Sequence, residues 1–263
     1  MSTWLSFFLQ SLRESQYTHS VDQDFLTSST FNYINPKHHH VASTDTLSQT
    51  LPPSSISGRS DEEILASFTK GFFGGPVFAF ESFLLRYGGW RLIPAGFTGF
   101  QDDPSATTIW SLSDVPSTHL LPIGSTLFGS FKVLDKSTLT TTEPPQSTTA
   151  SKSHVDYAYG SDTFTFAGCH RFVVIRDQPP YPTTTTTSTT DAAADEEKEP
   201  PDANTSHPQV ITIQLQGFRC NPLQNKPSVL NFIETFHYIY AKALFANGMQ
   251  AVLAGSSSSK EGE

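Results

Sequence analysis

Residues 228–253 restrict the fold more than any other segment. Pro227 precedes them, Gly255 follows, and between lies a helical pattern that is apolar around most of its circumference. Ile233, Phe236, Tyr240, Leu244, Asn247 and Ala251 share one side, and the polar stripe is limited to Asn231, Glu234, Tyr238 and Lys242. Such a helix has too much apolar surface to lie exposed and needs a second layer across it. Gly248 permits a close backbone approach. The strongest strand signals, Ala167–Arg176 and Gln209–Arg219, come just before it and are rich in β-branched residues. Residues 177–208 join them through a Thr, Pro and acidic tract, so the two strands are predicted to pair as an antiparallel hairpin with a long disordered tip.

Helix signals dominate upstream. Thr3–Arg13 carries Trp4, Leu5, Phe8, Leu9 and Leu12 on one side without a basic polar face, which predicts a helix docked on the domain rather than on a membrane surface. Ser60-x-x-Glu63 is a capping box opening a helix that ends near Lys70 and Gly71. Pro76 suits a first helical position, with Val77, Phe80, Leu84 and Tyr87 following at helical spacing. Shorter strands are predicted at Thr107–Leu112, Ser125–Leu134 and His154–Tyr159. The resulting division is an N-terminal segment 1–35, a disordered linker 36–60, one domain over 61–254 with disordered inserts 136–153 and 177–208, and a disordered tail 255–263. The four tracts are assigned as disordered because they hold little apolar surface to offset the entropy of ordering them.

The balance of 16 basic against 25 acidic residues gives a net charge of −9, which argues against a nucleic-acid partner. Hydrophobic residues make up only 37%, yet 21 phenylalanines require a core. Cys169 and Cys220 are too few for a disulfide framework, and no Cys/His pattern suits zinc. No secretory signal is read, and no apolar run approaches the roughly 20 residues of a membrane helix. The expectation is a cytoplasmic protein with no integral membrane segment, in which the Asn204-Thr205-Ser206 sequon is incidental.

The order of helices, antiparallel strands and one long C-terminal helix matches the helix-grip architecture. Tyr159-Gly160 is followed by Gly168-Cys169-His170-Arg171-Phe172-Val173-Val174, then by the Ile211–Arg219 strand and Gly217-Phe218-Arg219-Cys220-Asn221-Pro222, with Ile123-Gly124 before an upstream strand. Over residues 120–253 this resembles an uncharacterised START-like (SRPBCC-type) family of plants and bacteria. That family shows a Tyr-Gly turn, a Gly-x-x-x-Phe-x-Val strand and a strand ending in apolar-Phe/Ser-Arg-x-Pro. The resemblance implies an α+β fold, an antiparallel sheet curved around the C-terminal helix, and a cavity between them. It implies no catalytic residues.

Nucleotide, phosphate, hydrolase and zinc-protease motifs are absent from the sequence, and no cofactor is expected. Tyr238 and Lys242 have the spacing of a dehydrogenase pair, but no glycine-rich nucleotide turn accompanies them. His38-His39-His40 lies in a polar tract with no carboxylate cluster to support it, so no metal is assigned. Strand alternation puts His170, Phe172 and Val174 on one face, and an inward His170 serves either as a core group or as a general acid/base. Tyr240 and Asn247 interrupt the apolar side of the closing helix, with His237 on its flank. Arg219 shares a face with Ile211, Ile213 and Leu215, where an inward guanidinium needs Glu81, Asp156 or a ligand carboxylate. His170, Arg219, His237, Tyr240 and Asn247 are therefore the candidate ligand contacts, and His170 the candidate catalytic group. The glycine/aromatic segments 88–91 and 96–100 are candidates for a pocket mouth. Three functions stay open: binding of an apolar or aromatic small molecule, cyclase, dehydratase or isomerase chemistry on a polyketide-like substrate, and a non-enzymatic interaction scaffold.

Overall fold

The computed structural model describes residues 3–56, 58–79, 94–139, 151–177, 210–226 and 234–257. Its chain order is α1 (Thr3–Glu14), β1 (Gln16–Thr18), α2 (Gln23–Leu26), α3 (Ser29–Ile34), β2 (Val41–Leu51), α4 (Asp61–Gly74), β3 (Thr108–Ile109), β4 (Thr126–Leu127), β5 (Phe131–Ser137), β6 (Ser151–Gly160), β7 (Ala167–Asp177), β8 (Val210–Cys220) and α5 (Glu234–Ser257). The fold is α+β, with a curved eight-stranded sheet in the order β1-β2-β8-β7-β6-β5-β4-β3. Every neighbouring pair is antiparallel except β3 with β4.

The predicted hairpin is present: β7 pairs with β8 from Ala167↔Cys220 to Asp177↔Val210. Both strands are mostly buried because the sheet is covered on both faces. On the concave face Phe172, Val174, Ile213 and Leu215 meet Phe68, Phe72 and Phe73 of α4 and Phe245 and Met249 of α5. On the convex face Cys169, Phe218 and Cys220 meet Phe25, Phe31 and Ile34 from α2 and α3. Both cysteines are free and buried, and burial pushes the Cys220 thiol up to about 12 and Cys169 well above its ordinary value. These are inert packing groups rather than nucleophiles.

Three expectations change. The stretch 36–60, read as a disordered linker, contains β2, an eleven-residue central strand paired with β1 on one side and β8 on the other. Its residues are mostly Ser, Thr and Gln, but Leu47 and Leu51 point inward and threonine fits a pleated strand, while backbone pairing on both edges supplies the rest. The 1–35 segment is not one docked helix; it adds the edge strand β1 and the two helices that cover the convex face. The single strand predicted at Ser125–Leu134 is two, because Phe128 (φ 54°) and Gly129 (φ 67°) turn the chain between β4 and β5. Leu127, Phe131 and Val133 nevertheless share the concave core, as the alternation required.

The helical layer has its own order. α4 opens with the predicted capping box: Ser60 Oγ accepts from the Glu63 N–H, and the Glu63 carboxylate accepts from the Ser60 N–H at 2.9 Å. α4 lies against β6 and β7, and α5 packs on α4 and α1. Side chains of α5 join the concave core across α4, so the apolar circumference read from the sequence is shared between two helices and the sheet. At the crossing a Cβ on Gly248 would sit 2.6 Å from the Phe68 ring and one on Gly71 would sit 2.5 Å from the Asn247 carbonyl. These two glycines set the helix separation. Among the described residues no helix is long and apolar enough to cross a membrane. Residues 76–79 are helical, whereas the rest of that predicted helix, the 88–91 segment, most of the two inserts and the start of the closing helix lie outside the described residues.

Candidate functional site

The helices cover the concave face unevenly. At the end where β2 begins and β8 finishes, the sheet and the first turns of α5 enclose a partly open cavity of about 670 Å³. Tyr17 and His19 from the β1 end, His40, residues 41–45, Arg219 and Tyr238 line it. Tyr17 and Tyr238 close the wall between strand and helix, their rings edge-to-face at 4.6 Å, and His19 packs on Tyr17 at 4.9 Å. Aromatic contacts of this geometry add to the area they bury.

Arg219 is the only lysine or arginine in that lining among the described residues. Its residue is 9% exposed, and its Nε has no hydrogen-bond partner among the described residues. Strand alternation put it inward and the structure agrees. Of the anions proposed for it, Asp156 is on the opposite face, paired with Arg171 (Nε to Oδ1 and Nη2 to Oδ2, both 2.7 Å), and Glu81 lies outside the described residues.

His170 also faces the concave side, its ring 5.0 Å from Tyr159, 5.9 Å from Phe72 and 6.4 Å from Phe131. Register aligns Asp45, Gly217 and His170 across β2, β8 and β7. A Cβ on Gly217 would lie 2.6 Å from Asp45 Oδ1 and 3.6 Å from His170 Nδ1, so the carboxylate and the imidazole lean over the glycine from its two neighbouring strands. Asp45 lines the cavity and His170 is set behind it. Beside them Tyr159 donates to the Phe218 carbonyl at 3.4 Å; burial raises its phenol well above the ordinary value, partly opposed by the Arg219 charge.

The other candidates separate from this group. Tyr240 is partly buried against the concave core. Asn247 is buried at the α4–α5 crossing, its amide against Gly75 rather than in the cavity. The His237 side chain lies outside the described residues. Sequence reasoning missed Tyr17, His19 and Asp45, and set aside Tyr238 and His40. The first three sit in or beside strands not read as strands, and Tyr238 was read as part of a polar stripe although its ring lines the cavity.

No protein-family model, curated protein or solved structure matches the chain. The site is thus argued from its own chemistry. One group among the described residues has the spacing to hold a cation, Asp135, His154 and Asp156 on β5 and β6. Its Asp156 already takes both Arg171 bonds and one from Thr30 Oγ1, and the adjacent guanidinium opposes a second cation.

Proposed function

We propose that this chain is a cytoplasmic, START-like binding protein that takes an apolar or aromatic small molecule into the cavity between the sheet and the C-terminal helix. The observation that carries the reading is the cavity itself: about 670 Å³, set between β1, β2, β8 and α5, with Tyr17, Tyr238, Val41 and Ala42 as its apolar contacts and Arg219, Asp45, His19 and His40 among its polar groups. That volume suits a ligand of drug-like size. The order of motifs over residues 120–253, which resembles the START-like family, supports the same reading. The test is titration of the full chain with 2-naphthol followed by native mass spectrometry. The expected result is saturable one-to-one binding that Ala42→Trp, which fills the cavity from β2, removes. Absence of binding at millimolar concentration, or binding indifferent to Ala42→Trp, overturns the reading.

One observation favours catalysis as a second reading. Asp45 and His170, facing each other over Gly217, have the makings of a proton-transfer pair for cyclase, dehydratase or isomerase chemistry. In that case His170→Ala lowers turnover by about 10²–10⁴ while binding persists.

A further inference from the structure

We infer that the cavity selects a molecule bearing a carboxylate, held by Arg219, on an aromatic body that packs against the wall formed by Tyr17 and Tyr238. The inference rests on the reading that the cavity binds a small molecule, and it adds the ligand's chemical class. Arginine stays charged at any physiological pH, and a buried charge is costly unless it is paired. Arg219 is nine-tenths buried, lines the cavity, and makes no hydrogen bond or ion pair with the described residues. Asp45, the carboxylate in the described lining, leans over Gly217 toward His170.

The number of charges indicates which anion fits. A phosphate site gathers several cations or a cluster of backbone N–H groups. Here one guanidinium is the only lysine or arginine among the described lining residues, and Asp45 shares the wall, which disfavours a multiply charged anion. A planar carboxylate carries a single charge and matches the guanidinium fork. The Tyr17 and Tyr238 rings, 4.6 Å apart and edge-to-face on the same lining, supply contact for a flat apolar body.

The experiment compares 2-naphthoate with its neutral analogue 2-naphthamide by calorimetric titration of the full chain at pH 7. Unmodified protein should bind the carboxylate about 10- to 100-fold more tightly, as expected for a charge-assisted bond. Arg219→Met should abolish that preference, so that the two probes bind with about equal affinity, and Arg219→Lys, a point charge without the fork, should restore part of it. Equal binding of the two probes by unmodified protein overturns the inference while leaving the binding cavity standing, and needs no variant to fold. A preference that persists in Arg219→Met also overturns it. Failure of both probes to bind overturns the inference together with the cavity reading.

Discussion

Two buried arginines face opposite sides of the same sheet, one strand apart, and their surroundings differ completely. Arg171 on the convex face is 5% exposed and fully matched: Asp156 takes two bonds, Thr30 donates to the same carboxylate, and the guanidinium lies 4.2 Å from the Phe25 ring centroid. Arg219 on the concave face is nearly as buried, yet has no such set of partners among the described residues. The convex site is complete within the chain, because α2 and α3 bring Phe25 and Thr30 down on the strand pair. The concave site faces a cavity, because α4 covers β6 and β7 and leaves the β1-β2-β8 end to the start of α5. The same residue type thus serves as a structural clamp on one face and, in the proposed reading, as a recognition group on the other.

Stability measurements sharpen that contrast. Arg171→Met leaves Asp156 buried with only Thr30 as partner, and should cost about 3–5 kcal/mol. For a domain of this size that lowers the thermal midpoint by on the order of 10 °C. Ser60→Ala removes the cap of α4, the helix that closes the filled part of the concave face, and should cost about 1 kcal/mol. Hydrogen bonds from Ser60 hold the Glu63 carboxyl below its ordinary value. A depressed carboxyl stabilises the fold above its unfolded pKa and stops doing so as pH falls through the folded value. Ser60→Ala keeps the backbone N–H bond to Glu63, so only the share of its deficit that comes from the Ser60 Oγ bond to the carboxylate should shrink below about pH 4, while the loss of the Glu63 N–H cap persists, as melting across pH would show. Arg219→Met should be the mildest, within about 1 kcal/mol of unmodified protein or more stable, since it removes a buried charge without stranding a partner. Equal losses from the two arginine variants would break the distinction.

What was legible in the sequence follows from where one element dominates its own environment. The β7–β8 hairpin, the capping box and the inward faces of His170 and Arg219 could be read because β-branched runs, Ser60/Glu63 spacing and strict alternation are local signals. β2 could not, because a Ser/Thr-rich strand with two inward leucines is held by backbone pairing to β1 and β8, which composition does not reveal. Asp45 was lost with it, and so was the alignment of Asp45, Gly217 and His170, which exists only through register. Asn247 was misplaced for a different reason. Helical periodicity gave the correct buried side, but that side is shared between the sheet and α4, and Gly71 on α4 and Gly75 just after it are what receive it.

The central claim, that Arg219 is a recognition group and Arg171 a structural one, is tested most directly by the arginine Nε–H signals in a nitrogen–proton correlation spectrum of the full chain. Adding saturating 2-naphthoate should shift the Arg219 signal and leave Arg171, already bonded to Asp156, in place. Bound 2-naphthoate with an unmoved Arg219 signal, or a shift at Arg171 instead, would contradict the account.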